Sequence, residues 1–282
     1  MEQKREGMIS MKKLLRTYLP FVANEIKTQL AYRASVFLWA FISLFSAFIS
    51  YFLWMAIYGS SESGVIGNMT QNEMVVYIFM VYVTSSLVSV SISTWVGYDV
   101  VEGRVAMNLI KPIDYRTSLI AQALGHMIYS LLGKSIFVWI GIEIYKVLVL
   151  GLPVVSIPTL LLYLCSVLMS FLLFVLFDFC FGMVAFFTTY IFGLRKAKTA
   201  LLSFLTGQLI PISLFPEVAQ RIFDFLPFSS MIYTPVMIYL GKYTGEALVW
   251  ALGRQFIWVI LLYWFGSMIW KQVTKRLVVL GG

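Results

Sequence analysis

Charge is scarce in this sequence: Asp, Glu, Lys and Arg make up 12% of its 282 residues, against 60% hydrophobic. Soluble domains carry about twice that charged fraction, so a soluble catalytic or nucleotide-binding domain is excluded. Metal ligands are scarcer still. One histidine, His126, and two cysteines, Cys165 and Cys180, are too few for a zinc or haem site. About 22 Å apart along a helix, the two cysteines cannot pair with each other. A phosphate-binding loop is also missing. Gly133-Lys134-Ser135 has the ending of one, but the motif needs a glycine five positions earlier, where Ile128 stands. Neither a His-Glu-x-x-His run nor a credible Ser, His and Asp set is found.

What is present is long apolar runs, and the mean hydropathy is +0.87. The chain reads as an all-α polytopic membrane protein. Residues 1 to 33 carry Lys4, Arg5, Lys12, Lys13, Arg16, Lys27 and Arg33 before any long apolar run, which argues against a cleaved signal. The run from Ala34 to Ser61 holds no charge and exceeds the roughly 20 residues that cross a bilayer. Further spans are expected at about 74–98, 118–145, 158–192, 200–215 and 247–270. Basic residues gather in the N-terminus, around Arg104, Lys111 and Arg116, at Arg195, Lys196 and Lys198, and at Lys271, Lys275 and Arg276, whereas the loop Gly59 to Glu73 has none. The positive-inside rule places both termini in the cytoplasm. Parity settles the remaining run, Phe228 to Leu240. It is too short to cross, and a crossing there would put the basic C-terminus outside. Residues 216–243, broken by Pro216, Pro227 and Pro235, are therefore expected as a re-entrant pair of short helices in the outer leaflet.

Two segments lie outside these spans with a shape of their own. Leu15, Leu19, Val22, Ile26 and Leu30 form one apolar stripe among basic residues, an amphipathic helix over 11–33 that either lies on lipid or docks on the membrane domain. Pro20 predicts a kink or break in it. Asp99 to Arg116 mixes Val101, Val105, Met107, Leu109 and Ile110 with charges and stops at Pro112. It reads as a short surface helix that something soluble should bind, or else as a solvated loop.

Charges inside spans are expensive and usually face the bundle interior. Counted from the cytoplasmic ends, Lys134 and Asp178 reach one depth on consecutive antiparallel spans and are expected to pair. Glu143 lies about half a turn's circumference away from Lys134 and is expected at the outer interface, as is Arg254. Ala121, Gly125, Gly133 and Gly141 recur at multiples of four, where another helix could approach closely. Phe215, Phe225 and Phe228, in or beside the re-entrant region, are candidates for an outer gate.

The six-span order, the amphipathic N-terminal helix, the charged helix between spans two and three and the broken pair between spans five and six together resemble the permease subunit of type-two ABC exporters. Glu102, Gly103, Leu109 and Pro112 match the Glu-Gly, Leu and Pro pattern of that family's cytoplasmic helix; Arg104 departs from it, since many relatives have Thr there. Asn108-Leu109-Ile110-Lys111-Pro112-Ile113 is similar to a bacterial subfamily usually found as two paralogous permeases beside one ATPase. The resemblance implies that Glu102, Gly103, Arg104, Leu109, Lys111 and Pro112 couple the chain to an ATPase.

The expectation is then a non-enzymatic permease of the bacterial plasma membrane, with residues 1–33 as a cytoplasmic N-terminus and 34–282 as a six-span permease domain. It would use no cofactor of its own, ATP being bound by the partner ATPase. It would dimerise with itself or a paralogue among membrane lipids, bind no nucleic acid, and move an amphipathic or hydrophobic cargo such as a drug, lipid or peptide outward. The alternative is a proton-coupled secondary transporter with Lys134, Asp178 and Glu143 as its relay. An intramembrane enzyme is the third reading, and no nucleophile and base are found together to support it.

Overall fold

The computed structural model describes the backbone of residues 2–61, 64–188 and 192–280 and the side chains of 14–61, 64–188 and 193–275. Ser63, the end of the expected fourth span at 189–191 and the side chains of Lys4, Arg5, Lys12, Lys13 and Arg276 lie outside these residues. Apart from one two-stranded hairpin, the described chain is helical, and it is an all-α polytopic membrane protein.

In chain order the helices are α1 (Glu2–Ala31), α2 (Arg33–Gly59), α3 (Gln71–Val88), α4 (Ile92–Val101), α5 (Arg104–Leu109), α6 (Tyr115–Ser130), α7 (Ile136–Leu148), α8 (Ile157–Gly182), α9 (Phe192–Leu205), α10 (Glu217–Phe225), α11 (Tyr233–Tyr239) and α12 (Gly245–Leu280). Five helical stretches among the described residues are long and apolar enough to cross a membrane: α2, α3 with α4, α6 with α7, α8 with the turn after it, and α12 to Lys275. Start signals fix several of them. Thr70 and Glu73 form a capping box on α3, Asp114 accepts the Thr117 N–H at 2.7 Å at the head of α6, and Ser156 caps α8 with Pro158 in its first turn.

The core is built on α3 and α8. Met74, Met80, Phe171, Leu173 and Val175 are fully enclosed, and 72% of the α3 stretch is buried against 6% of α2. Helix α2 therefore lies at the periphery, turning Phe37, Trp39, Phe45 and Phe52 outward as a helix facing lipid does.

The expected fifth span, 200–215, does not form one helix. Helix α9 starts earlier and stops at Leu205, giving about 21 Å, short of the roughly 30 Å hydrocarbon core. Gly207 in the left-handed region (φ +77°) ends it, and the Tyr77 hydroxyl holds the Gly207 carbonyl at 2.5 Å. The region 216–243 contains two short helices, α10 and α11, with Pro216 just before the first and Pro227 between them. Every residue of α11 is buried, and Pro235 is tolerated in its first turn, where its missing N–H has no intrahelical partner to lose.

Helix α1 runs through Pro20 without ending there. It is docked on α6: a Cβ at Gly125 would sit 2.5 Å from the Val22 carbonyl oxygen, so only glycine allows this approach. Glu25, buried beside it, accepts from Gln29 (2.7 Å) and Gln122 (3.1 Å) and lies 3.8 Å from His126 Nδ1. Burial raises the Glu25 pKa, but neighbouring His126 and the hydrogen bonds from Gln29 and Gln122 outweigh it and hold the carboxyl below its ordinary value. Leu15, Leu19 and Leu30 of the apolar stripe remain exposed.

Opposite the basic segment 99–116, the chain between α2 and α3 folds into a hairpin, β1 (Val65–Ile66) with β2 (Met69–Thr70). Gly67 (φ +56°) and Asn68 (φ +63°) make its left-handed two-residue turn. The Tyr58 hydroxyl donates to the Met69 carbonyl at 2.8 Å, and Lys242 pairs with Glu73 at 2.5 Å, tying the hairpin to the end of the broken region.

Candidate functional site: a self-paired turn, a buried ion pair and a polar cavity

At the basic end, α4 stops at Val101, Gly103 reverses the chain in the left-handed region (φ +70°, ψ +6°), and α5 begins directly after it. Asp99 organises this turn. Its carboxylate pairs with Arg104 Nε at 3.0 Å and accepts from the Tyr115 hydroxyl at 2.7 Å and Asn108 Nδ2 at 3.3 Å. Arg104 also reaches Glu102 at 3.2 Å, and Lys111 donates to Asn108 at 2.8 Å. Glu102 and Arg104, expected to face a partner, thus pair with each other, and Arg104 also with Asp99, so the charges hold the shape of the turn. What it turns outward is apolar: Val101, Met107 and Ile110 are exposed, the last by 83%, while Val105 points inward. Leu109 and Pro112 lie on the same exposed stretch. Asp99 and Tyr115 were not singled out from the sequence. The available signal was an acid in the last turn of a helix, which the helix dipole disfavours unless another group holds it.

Helix α4 is fastened at its other end as well. Asp178 of α8 accepts the Ser93 backbone N–H at 2.8 Å and forms an ion pair with Lys198 of α9. Lys198 also donates to the Ser93 hydroxyl at 2.9 Å, and Arg195 to Thr94 at 2.9 Å. Gly182 admits α4 closely, since a Cβ there would lie 3.1 Å from Ser93 Cα. The expected Lys134–Asp178 pair is therefore not formed. Span two breaks at Ser89–Ser91, the break leaves free N–H groups at the start of α4, and those groups with Lys198 take the carboxylate.

Lys134 lies elsewhere, in a π-helical stretch, Leu131–Ser135, that joins α6 to α7. The extra residue rotates α7 by about 100° relative to a straight helix. Half-buried Lys134 lines a half-open cavity of about 440 Å³ between α2, α3, α6 and α9. Ser43, Ser46 and Ser50 face it from α2, and Ser85, Ser86 and Ser89 from the end of α3. The spacing of 43, 46 and 50 on one face of an otherwise apolar helix was the signal for this cavity. Of the other charges on the apolar helices, Glu143, Lys146, Asp178 and Arg254 all have partners. Among the described residues Lys134 has neither an ion-pair nor a hydrogen-bond partner. Such a charge costs roughly 2.5 to 3.5 kcal/mol at mid-membrane.

Glu143, near the end of α7, is buried within the protein. It accepts from Lys146 at 2.8 Å, from the Tyr239 hydroxyl and from the Val155 N–H at 3.2 Å. With Asp178 bound to Ser93 and Lys198, and Glu143 bound to Lys146 and Tyr239, the three residues of the alternative relay form no chain. The three candidate gate phenylalanines are also apart: Phe215 packs edge-on against Phe223 (5.2 Å between centroids), Phe228 against Phe177 (5.5 Å), and Phe225 is exposed. Arg254 donates to the Asp224 carbonyl at 2.8 Å. A fully buried Gln255 joins Ser166 and Ser170 of α8 to the Ser230 carbonyl, fixing α12 to the segment before α11.

A family model described as "ABC-2 family transporter protein" matches residues 44–281. No curated protein matches the chain.

Proposed function

Because the chain belongs to the ABC-2 transporter family, it is a membrane-embedded permease component of an ABC transporter, and we propose that it couples to its ATPase through the Asp99-centred turn. The observation that carries this reading is the division of labour within residues 99–112. The charges of Asp99, Glu102 and Arg104 satisfy one another, while Val101, Met107 and Ile110 face outward at the basic end of the bundle. A self-braced turn with a bare apolar surface suits a cleft in a soluble partner. Glu102, Gly103, Arg104, Leu109, Lys111 and Pro112 shape or flank that surface, and Gly103 supplies the reversal.

The proposal includes six crossings with both termini cytoplasmic in a bacterial plasma membrane. Helix α9 begins the fifth crossing with about 21 Å of helix, and residues 206–215, turned at Gly207 and interrupted by Pro211, complete it. Helices α10 and α11 return within the outer half. The permease acts as a dimer with itself or a paralogue, hydrolyses nothing itself, needs no cofactor beyond the ATP held by the ATPase, and moves an amphipathic cargo outward. Asp178 gives the coupling a route, since α4 carries the turn at one end and is tied to α8 and α9 at the other. Ile110→Asp tests the reading. The variant should fold and reach the membrane yet lose at least about 90% of the co-purifying ATPase, as a hot-spot contact would; full retention would remove this turn from the interface.

A further inference from the structure

The permease reading leaves the cavity around Lys134 without a task, and its chemistry is narrower than that of a general hydrophobic passage. Its lining includes Lys134 and His126 and no Asp or Glu. The other deep cations are committed: Lys198 to Asp178, Lys146 to Glu143, and Arg254 to the Asp224 carbonyl. An unpartnered ammonium group held in a membrane domain marks a site for an anion, because a ligand oxyanion offsets the desolvation that no side chain offsets. Hydroxyls surround it. Ser43 and Ser46 donate to the carbonyls of Trp39 and Ile42 in their own helix, at 2.8 and 3.0 Å. Those carbonyls keep their helical bonds when a hydroxyl turns toward a ligand, so re-aiming costs little.

A second feature shares its helices. About one turn beyond Lys134, Phe137, Val138 and Gly141 face Leu44, Phe48 and Phe79 across an apolar cleft of about 570 Å³. The polar cavity and the apolar cleft share three walls, α2, α3 and the α6–α7 helix, and α9 borders only the polar one. A purely hydrophobic ligand would leave Lys134 bare, and a small free anion would leave the cleft empty.

We infer that the Lys134 cavity and the neighbouring cleft form one binding site for an anionic amphiphile, with a phosphate or carboxylate headgroup on Lys134 and an apolar chain between α2 and α7. This narrows the cargo or regulatory ligand of the proposed permease and rests on that reading for its purpose, though not for the binding itself. The cavity volume falls in the range of ordinary small-molecule sites.

The full-length chain in neutral detergent can be titrated with dioctanoyl phosphatidylglycerol, dioctanoyl phosphatidylcholine and glycerol 3-phosphate, with the thermal midpoint and native mass spectrometry as readouts. Saturable binding of the phosphatidylglycerol is expected, with Lys134→Met weakening it about 10- to 100-fold and Lys134→Arg retaining it. Gly141→Leu fills the cleft without a clash, since a Cβ at Gly141 meets nothing within 4 Å, and it should weaken the lipid equally. Unchanged binding in Lys134→Met, or equal affinity for phosphatidylcholine, would overturn the inference. So would Lys134-dependent binding of glycerol 3-phosphate as tight as that of the lipid, because the site would then take a free anion. ATPase co-purification with the same variants should be undiminished. Its loss in the unaltered chain would refute the permease reading while leaving the lipid titration standing.

Discussion

Asp178, in the last turns of α8, accepts the backbone N–H of Ser93 at 2.8 Å and so caps the helix that leads into the turn at Gly103. Its second oxygen is held by Lys198, and the side chain is 2% exposed. Lys198→Met would strand a buried carboxylate, at a cost of roughly 3 to 5 kcal/mol, whereas the double change with Asp178→Asn should be milder than Lys198→Met alone. Lys134→Met combined with Asp178→Asn should instead be additive within about 0.5 kcal/mol. Thermal midpoints in detergent decide both, and a strong non-additivity between 134 and 178 would restore the pairing expected from the sequence.

The turn proposed to couple to the ATPase depends on a left-handed residue. Gly103→Ala meets no atom within 4 Å but must adopt φ +70°, so it should destabilise the turn by about 1 kcal/mol, with Gly103→Asn less affected. Asp99→Ala removes three contacts at once and should reduce ATPase co-purification more than Glu102→Gln does. If Glu102→Gln proves the more damaging, Glu102 contacts the partner directly.

Acid should loosen the N-terminal helix. The Glu25 carboxyl is held below its ordinary value in the folded chain, so its contribution is fully present above the unfolded pKa of about 4.5 and is lost as pH falls through the lower folded value. Limited proteolysis between residues 14 and 31 should therefore accelerate below about pH 4.5 in the wild type. In Glu25→Gln it should already be faster at pH 7 and nearly independent of pH. Gly125→Leu should release the helix at any pH, because its side chain would occupy the place of the Val22 carbonyl.

Sidedness can be read with single cysteines at Val65, Lys111 and Lys275 in a chain whose Cys165 and Cys180 are replaced. An impermeant thiol reagent on intact cells should label only position 65. Labelling at 275 would mean an odd number of crossings.

Much of the membrane architecture was legible because long charge-free runs have few other uses, and the segment 99–116 stood out because charges and apolar residues alternate there without a span. Asp178 was recognisable as a costly buried acid, but its partner was not. The depth count assumed straight helices, and neither the break at Ser89–Ser91 nor the π-helical stretch at Leu131–Ser135 announces itself in composition. The same straight-helix assumption merged Thr206–Phe215 with α9. The cavity escaped because a serine in an apolar helix normally satisfies itself on its own backbone, and only the convergence of Ser50, Ser85 and Lys134 in space gives those residues a common purpose.

The close approach of α1 to Gly125 also bears on synthesis. Glu25 leaves the ribosome about 100 residues before the glycine it packs beside, an interval on the order of 5 to 20 s at ordinary elongation rates. During that time α1 has no groove to enter, and its exposed Leu15, Leu19 and Leu30 give it a bilayer surface to rest on. Lipid anchoring and helix docking thus become successive stages in the life of one helix, and the nascent chain keeps its first segment at the membrane until the third span arrives to receive it.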